Sequence, residues 1–189
     1  MIAPSTPDVS MVVVSSNSND LLRDCLQTLK REAGDITYET LVVDNASRDG
    51  SADMLQQEFP AVRLVRSPVN LGFAAGNNRA FHMAQGCYIV LLNSDAFMRP
   101  GTLSKAMEHM EKNPDVDLGR GQLVGRDDTW QPSARMFPSS LNDFLMLSGL
   151  AAKFPRSRLF GRFDRTWADP LMGSDARSPQ GMDADLVSE

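Results

Sequence analysis

The residues of this sequence that could do chemistry are mostly carboxylates, amides and hydroxyls that follow directly after apolar runs. The candidates near the ends of these runs are Ser15, Asn17, Asp44, Asn45, Asn70, Gly72, Asn93, Ser94 and Asp95. A carboxylate just beyond a buried strand needs a helix N-terminus, a hydrogen-bond donor or a metal ion as its partner. For Asp44 and Asp49 two interpretations stay open, because each could bind a ligand or simply cap the turn and the next helix.

Alternating apolar strands and amphipathic helices must position these residues. The predicted strands are Val9–Ser15, Tyr38–Val43, Val62–Val65 and Tyr88–Leu92. Four helices are predicted. The first is capped by Asp20, the second spans Ser51–Phe59, the third spans Ala74–Gln85, and the fourth follows Pro100-Gly101 and ends near Lys112. This alternation is typical of an open, mainly parallel α/β sheet with helices on both faces. Ligands of such sheets bind outside the carboxyl ends of the strands, which is where the candidate residues lie.

The pattern changes after residue 115, so we divide the chain into residues 1–115, 116–166 and 167–189. Val116–Val124 is a candidate strand and Leu141–Ala152 a candidate helix. Lys153–Arg165 carries five basic residues and one acidic residue. The acidic tail after residue 166 has little hydrophobic pattern, and we expect much of it to be poorly ordered.

Composition excludes several classes of protein. The chain has 189 residues and a net charge of −5, so we expect no nucleic-acid partner. Two isolated cysteines, no signal-peptide pattern and no apolar run long enough to span a bilayer favour a cytoplasmic location. P-loop and G-x-G-x-x-G motifs are absent, and Ser15-Ser16 lacks the acidic pair of a phosphoacceptor domain.

Four motifs, in order, carry a resemblance to a known family. They are LVVDNASRDGS (41–51), NLGFAAGNN (70–78), LLNSDA (91–96) and QPSARMFP (131–138). Together they resemble the family 2 glycosyltransferases of the GT-A fold, and the last resembles the rhamnosyltransferase-like branch of that family. Any one motif is weak, whereas the ordered set is specific.

The resemblance implies a nucleoside-diphosphate sugar donor, with dTDP-rhamnose one such donor, and Mg²⁺ or Mn²⁺. It implies that Asp44 hydrogen-bonds the nucleobase, while Ser15, Asn17 and Asn70 line the nucleoside pocket. Asp95 would ligate the metal, with Asn93 nearby. Asn45, Gly72 and Ser94 fall in the same motifs, and Gln131 and Arg135 would contact the diphosphate or sugar. A cation on the diphosphate would stabilise the charge that the leaving group gains during transfer. The acceptor would be a glycan or a lipid-linked glycan.

The sequence departs from the family pattern at three places. Ser16 stands where an aromatic residue commonly packs on the base, and Asn93 replaces the first acid of the D-x-D element. No motif identifies the general base of an inverting transfer, so the catalytic residue stays unassigned among Asp164, Asp169, Asp175, Asp183 and Asp185. A non-catalytic donor-binding or interaction module is therefore the alternative, and a nucleotidyltransferase ranks below both.

The segment Leu141–Phe163 allows two interpretations. One is an amphipathic helix packed on the sheet and followed by a solvated basic loop. The other is peripheral docking on an anionic membrane surface, because the apolar helix is followed by clustered lysine and arginine residues. The sequence does not indicate the oligomeric state.

Overall fold

The computed structural model describes residues 6–125, 130–131, 139–154, 157–160 and 182–188. Within these ranges the elements follow one another along the chain. They are β1 (Val9–Ser15), α1 (Asn19–Glu32), β2 (Tyr38–Asn45), α2 (Ser51–Glu58), β3 (Arg63–Ser67), α3 (Gly72–Phe81), β4 (Tyr88–Asn93), β5 (Ala96–Met98), α4 (Thr102–Lys112), β6 (Gly121–Val124), β7 (Trp130–Gln131), α5 (Ser140–Leu147), α6 (Leu150–Lys153) and β8 (Met182–Ser188).

Four parallel strands form the main sheet in the order β3-β2-β1-β4. The central strand β1 has four Val and one Met among its seven residues, and six of the seven are buried. A strand enclosed on both faces favours such β-branched and apolar side chains. The predicted α/β class and the open parallel sheet are confirmed.

Helices cover both faces of this sheet. On one face, Val9, Met11 and Val13 of β1 pack with the buried sides of α1, α2 and α4. On the other face, Val12 of β1 and Leu41 of β2 pack against α3. Gly76 lets α3 approach the sheet closely, because a Cβ at this position would lie 2.9 Å from Cγ1 of Val14. Full burial of each Val or Leu side chain contributes about 1.5–3 kcal/mol, so the sheet centre is the main source of stability.

A second sheet has the order β5-β8-β6-β7. Strand β8 runs antiparallel to β5 and parallel to β6. Strand β8 comes from the acidic tail, and its apolar and acidic residues alternate over most of Met182–Ser188, which is the spacing typical of a strand. The other residues of the tail lie outside the described ranges, and the three-part division of the chain stays a prediction.

Several predicted boundaries need correction. Helix α1 begins at Asn19 with Ser18 as the N-cap, rather than with Asp20 as the cap. The helix predicted to end at Gln85 ends at Phe81. The helix predicted over Leu141–Ala152 is two helices, because Gly149 adopts a left-handed φ of 73° between them. The candidate strand Val116–Val124 shortens to Gly121–Val124.

Gly86 provides a test of the packing before β4. A Cβ at this position would lie 2.4 Å from the backbone nitrogen of Ser10 and 2.6 Å from the carbonyl carbon of Val9. Backbone atoms of the central strand cannot move aside cheaply. Gly86→Ala is therefore expected to lower the free energy of unfolding by about 1–3 kcal/mol in urea titrations. The neighbouring Gln85 side chain is exposed, and Gln85→Ala serves as the control, with a change within about 0.5 kcal/mol. Equal stabilities of the two variants would contradict the packing argument.

Candidate functional site

The parallel register brings the ends of three strands to one edge of the sheet. Ser15 of β1 is aligned with Asp44 of β2, and Val14 is aligned with Asn93 of β4. Neighbouring strands lie about 4.8 Å apart, so Ser15 lies between the other two strand ends. Asp95 and Ser94 form the turn that follows β4. The candidate residues from the first, second and fourth strands therefore share one edge.

A chain of three hydroxyl groups connects the end of β1 to the turn after β4. The Oγ atoms of Ser15 and Ser18 lie 2.7 Å apart, and Ser18 Oγ donates to Ser94 Oγ at 3.1 Å. Ser18 precedes α1 but makes no side-chain cap, because its hydroxyl is used in this chain. The sequence analysis did not single out Ser18. A serine just before a helix predicts a capping role, and nothing local indicates this longer-range contact.

Asn17 joins the loop after β1 to the loop after β2. Its Oδ1 accepts a hydrogen bond from the backbone N–H of Arg48 at 2.8 Å, and its own N–H donates to Ser47 Oγ at 3.0 Å. Asn17 has a left-handed φ of 52°, and Ala46 has one of 62°. An alanine in this region is strained by about 1–2 kcal/mol, so the tertiary contacts hold the loop in place.

Asp44 is buried, with 5% of its surface exposed. Its Oδ1 accepts a hydrogen bond from the backbone N–H of Ser47 at 3.2 Å, so the turn-capping interpretation holds for this oxygen. No described residue hydrogen-bonds to the other oxygen. The side chain can thus cap its turn through one oxygen and present the second to a donor group of a ligand.

Asp49 has a purely structural set of contacts among the described residues. Its carboxylate accepts hydrogen bonds from the backbone N–H of Asn19 at 2.8 Å and from the N–H and hydroxyl of Ser51 at 3.1 and 2.5 Å. It therefore caps the starts of both α1 and α2, which confirms the capping interpretation. Burial raises the pKa of Asp49, but these hydrogen bonds outweigh burial and hold the pKa below its ordinary value.

Asn45 and Asn70 build the loop before α3. Asn45 Nδ2 donates to Asn70 Oδ1 at 2.9 Å, and Asn45 Oδ1 accepts from the N–H of Leu71 at 2.7 Å. Asn70 Oδ1 also accepts from the N–H of Gly72 at 2.8 Å. Gly72 has a φ of 75°, which glycine adopts without strain. These contacts make Asn45 a positioning residue, since its buried amide is fully engaged by the loop.

Asp95 differs from the other two aspartates because its carboxylate has neither a hydrogen bond nor an ion pair among the described residues. It is partly exposed. Its charge extends to the buried thiol of Cys25 in α1. Burial raises the pKa of Cys25 to about 12, and the Asp95 carboxylate contributes to this rise. Cys25 is therefore a protonated, unreactive thiol at neutral pH.

The oxygen set around Asp95 fits a hard divalent cation. The described residues contain no cluster of three or more His, Cys, Asp or Glu side chains that could bind a metal alone. Mg²⁺ is commonly bound by one or two carboxylates together with substrate phosphates, so a single free carboxylate suits a metal–diphosphate complex. Asn93 and Ser94 add an amide and a hydroxyl oxygen next to it in the chain.

The remaining predicted residues lie in β7, in β8 or outside the described ranges. Gln131 lies in β7, and Arg135 lies outside the described residues. Of the general-base candidates, Asp183 and Asp185 lie in β8, and Asp164, Asp169 and Asp175 fall outside the described ranges. In β8, Ser188 is aligned with Ala96, the residue after Asp95. Asp185 is three residues further along, about 10 Å away along the strand, so neither described candidate adjoins Asp95.

Comparison with known proteins identifies the family. The sequence profile described as "Glycosyl transferase family 2" matches residues 10–167 of the chain. The chain belongs to this family. The glycosyltransferase resemblance seen in the sequence is confirmed, while membership of a rhamnosyltransferase-like branch stays a prediction.

Several known glycosyltransferases are similar to this chain in sequence or in fold. The putative teichuronic acid biosynthesis glycosyltransferase TuaG of Bacillus subtilis is 32% identical over 127 residues, which are 65% of this chain and 50% of TuaG. S. aureus TarS in complex with UDP has a TM-score of 0.57 and 21% identity, covering 71% of this chain and 39% of TarS. The mannosyltransferase PcManGT of Pyrobaculum calidifontis, in complex with GDP-Man and Mn²⁺, has a TM-score of 0.51 and 25% identity, covering 64% and 36%. The chain thus spans half or less of each of these relatives.

The Asp49 contacts predict a pH-dependent contribution to stability. Asp49→Ala should lower the free energy of unfolding by about 1 kcal/mol or less at neutral pH, because the side chain is exposed. The pKa of Asp49 is lower in the folded chain than in the unfolded chain, so the contribution is complete above about pH 5 and is lost as the pH falls through the folded pKa. Denaturant titrations of both proteins at several pH values measure it. A difference that does not shrink in acid would contradict the role assigned to the carboxylate.

Asn45 is predicted to stabilise the loop before α3. Asn45→Ala should lower the free energy of unfolding by about 1–3 kcal/mol, because it leaves the Leu71 N–H without its acceptor and removes one of the hydrogen bonds to Asn70 Oδ1. Thermal unfolding followed by circular dichroism measures this change. Asn78→Ala, an exposed amide of α3, is the control and should be close to neutral. If the two substitutions have the same small effect, the positioning role is wrong.

Proposed function

We propose that this family 2 chain binds a nucleoside-diphosphate sugar and a divalent cation, and transfers the sugar to a glycan or lipid-linked acceptor. The observation that carries the proposal is the shared edge at which Ser15, Asp44 and the Asn93–Asp95 turn meet. In an open parallel sheet this edge is the ordinary ligand site. The UDP complex of TarS and the GDP-Man complex of PcManGT support a nucleotide-sugar ligand.

The nucleoside end of the donor is assigned to the β1–β2 side of the site. Asp44 has one carboxylate oxygen without a partner among the described residues, and a nucleobase N–H is the donor we assign to it. Ser15 and Asn17 border this position, and Asn70 is held nearby by Asn45. Ser16 is exposed and provides no aromatic ring for the base, and its hydroxyl donates to the carbonyl oxygen of Asn45 at 3.2 Å. We therefore expect recognition of the base to rest on hydrogen bonds more than on stacking.

The diphosphate end is assigned to the turn after β4. Asp95 would hold Mg²⁺ or Mn²⁺, with Asn93 and Ser94 beside it, and the cation would supply charge stabilisation to the departing diphosphate. The chain's own task is to hold this carboxylate fixed, which the contacts of Ser94 with Ser18 and of Ser18 with Ser15 do. The sequence motif at residues 131–138 is the basis for including Gln131 and Arg135 in the proposal as diphosphate or sugar contacts. Inversion at the sugar carbon, dTDP-rhamnose as the donor and a cytoplasmic location also belong to this proposal.

Asp95→Ala tests the site directly. The variant should lose Mn²⁺-dependent binding of nucleoside diphosphate by about 100-fold or more, because metal contacts contribute several kcal/mol. Isothermal titration calorimetry with UDP, GDP and dTDP, each with Mn²⁺ and with EDTA, measures the loss and identifies the preferred base. The unfolding temperature should remain within a few degrees of the parent chain.

The matched control is Asp117→Ala, which removes an exposed carboxylate. It should leave nucleotide affinity unchanged. Unchanged affinity in Asp95→Ala would contradict the proposed metal ligand. Turnover of a labelled nucleotide sugar separates the two functions that the sequence left open, since transfer or hydrolysis identifies an enzyme, while binding without turnover identifies a donor-binding module.

A further inference from the structure

Helix α5 presents an apolar stripe to solvent. Leu141, Phe144 and Leu147 recur every three residues, a spacing that places them along one side of the helix. Their exposed fractions are 46%, 61% and 89%. The buried residues Asn142 and Leu145 lie on a different side of the helix and anchor it to the protein. The stripe is therefore not the packing face of α5.

Further exposed apolar residues follow this helix. Phe154 and Leu159 are 44% and 53% exposed, and the rings of Phe154 and Phe160 lie 5.5 Å apart. We call the set Leu141, Phe144, Leu147, Phe154 and Leu159 the α5 surface. Single exposed apolar residues are ordinary, but three along one side of α5 and two more just after α6 mark an interaction site.

The charge next to the α5 surface indicates the kind of partner. The Nζ of Lys153 lies 5.7 Å from the centre of the Phe154 ring, so a cation stands beside the apolar group. In the sequence, residues 153–165 contain five basic residues and one acidic residue, although the whole chain has a net charge of −5. This basic segment is therefore a local exception in an acidic protein. An apolar stripe beside clustered basic residues is typical of helices that lie in the surface of an anionic bilayer.

The structure points to a single occupant for this surface, and we propose that the α5 surface docks on an anionic phospholipid bilayer. Leu147 and Phe144 enter the headgroup boundary, while the exposed Lys153 contacts lipid phosphates. None of the helices in the described ranges is long and apolar enough to cross a bilayer. The docking that we propose is peripheral. The docking proposal rests on the proposed function. It adds that docking would bring the donor site to the bilayer surface, where a lipid-linked acceptor would lie.

Vesicle flotation with the full 189-residue chain tests the docking. The vesicles are pure phosphatidylcholine in one arm and phosphatidylcholine with about one quarter phosphatidylglycerol in the other. We expect binding to the anionic vesicles, weak binding to the neutral vesicles, and release when the salt is raised to about 0.5 M. Absence of binding, or equal binding to both vesicle types, would overturn the proposal.

Two variants separate the apolar and the charged contributions. Leu147→Ser should weaken vesicle binding about tenfold, and Lys153→Gln about fivefold. Leu118→Ser and Lys105→Gln are matched controls, since Leu118 is also 89% exposed and Lys105 is an exposed lysine of α4. Controls that weaken binding as much as the test variants would show that the α5 surface is not the contact.

The same variants distinguish a lipid partner from a second copy of the chain. Sedimentation equilibrium without lipid should give the same mass for the parent chain and for Leu147→Ser. A dimer that dissociates in Leu147→Ser, without binding of either protein to anionic vesicles, would assign the surface to self-association and overturn the proposal. Nucleotide affinity in solution should be unchanged in Leu147→Ser. Failure of lipid docking therefore leaves the donor-site proposal standing, and loss of nucleotide binding in Asp95→Ala leaves the docking measurement valid.

Discussion

The parallel register of β2, β1 and β4 is the constraint on which the site depends. Parallel strands all point in the same direction, so the polar residues that follow them lie together at one edge of the sheet. This placement requires only the pairing of the strands and no contact between the polar side chains themselves. The buried valines of β1 fix this register, because a slip by one residue would turn every side chain to the opposite face. The apolar core thus determines where Ser15, Asp44 and Asn93 lie relative to one another.

Hydrogen bonds between loops then convert a shared edge into a defined site. Asn17 and Asp49 connect the loops after β1 and β2, while Asn45 connects the end of β2 to the loop before α3. Asn17, Asp49 and Asn45 thus use side-chain oxygens to hold these loops in place. Among the described residues, the Asp95 carboxylate and one oxygen of Asp44 have no hydrogen-bond partner, and these are the oxygens that we propose for the ligand. The division between supporting and available oxygens is the structural reason for assigning different roles to three aspartates of similar sequence context.

The sequence predicted the four main-sheet strands well, since long apolar runs with β-branched residues leave little choice of structure. It predicted the meeting of the strand ends for the same reason. It did not predict β5, which has three residues, or the pairing of β8 with β5 and β6, which lie far from it in the sequence. It also could not separate Asp49 from Asp44 or find the contact of Ser18 with Ser94. Those outcomes depend on tertiary distances, which have no local sequence pattern.

The exposed α5 surface shows a similar limit. Its apolar and basic composition was visible in the sequence, but the same composition also suits a helix packed on the sheet. The exposed fractions of Phe144 and Leu147 show that these side chains face solvent, while the buried Asn142 and Leu145 pack against the protein. Composition therefore located the segment, and the structure showed which side of the helix faces solvent.

The central claim is that a cation held by Asp95 binds a diphosphate at the shared edge of the parallel strands. A crystal structure of the chain with UDP and Mn²⁺, with the metal located by its anomalous scattering, tests it most directly. We expect Mn²⁺ to be bound directly to the Asp95 carboxylate and to the diphosphate, with the base beside Asp44. Mn²⁺ bound to the diphosphate away from Asp95, or a nucleotide bound elsewhere on the chain, would contradict it.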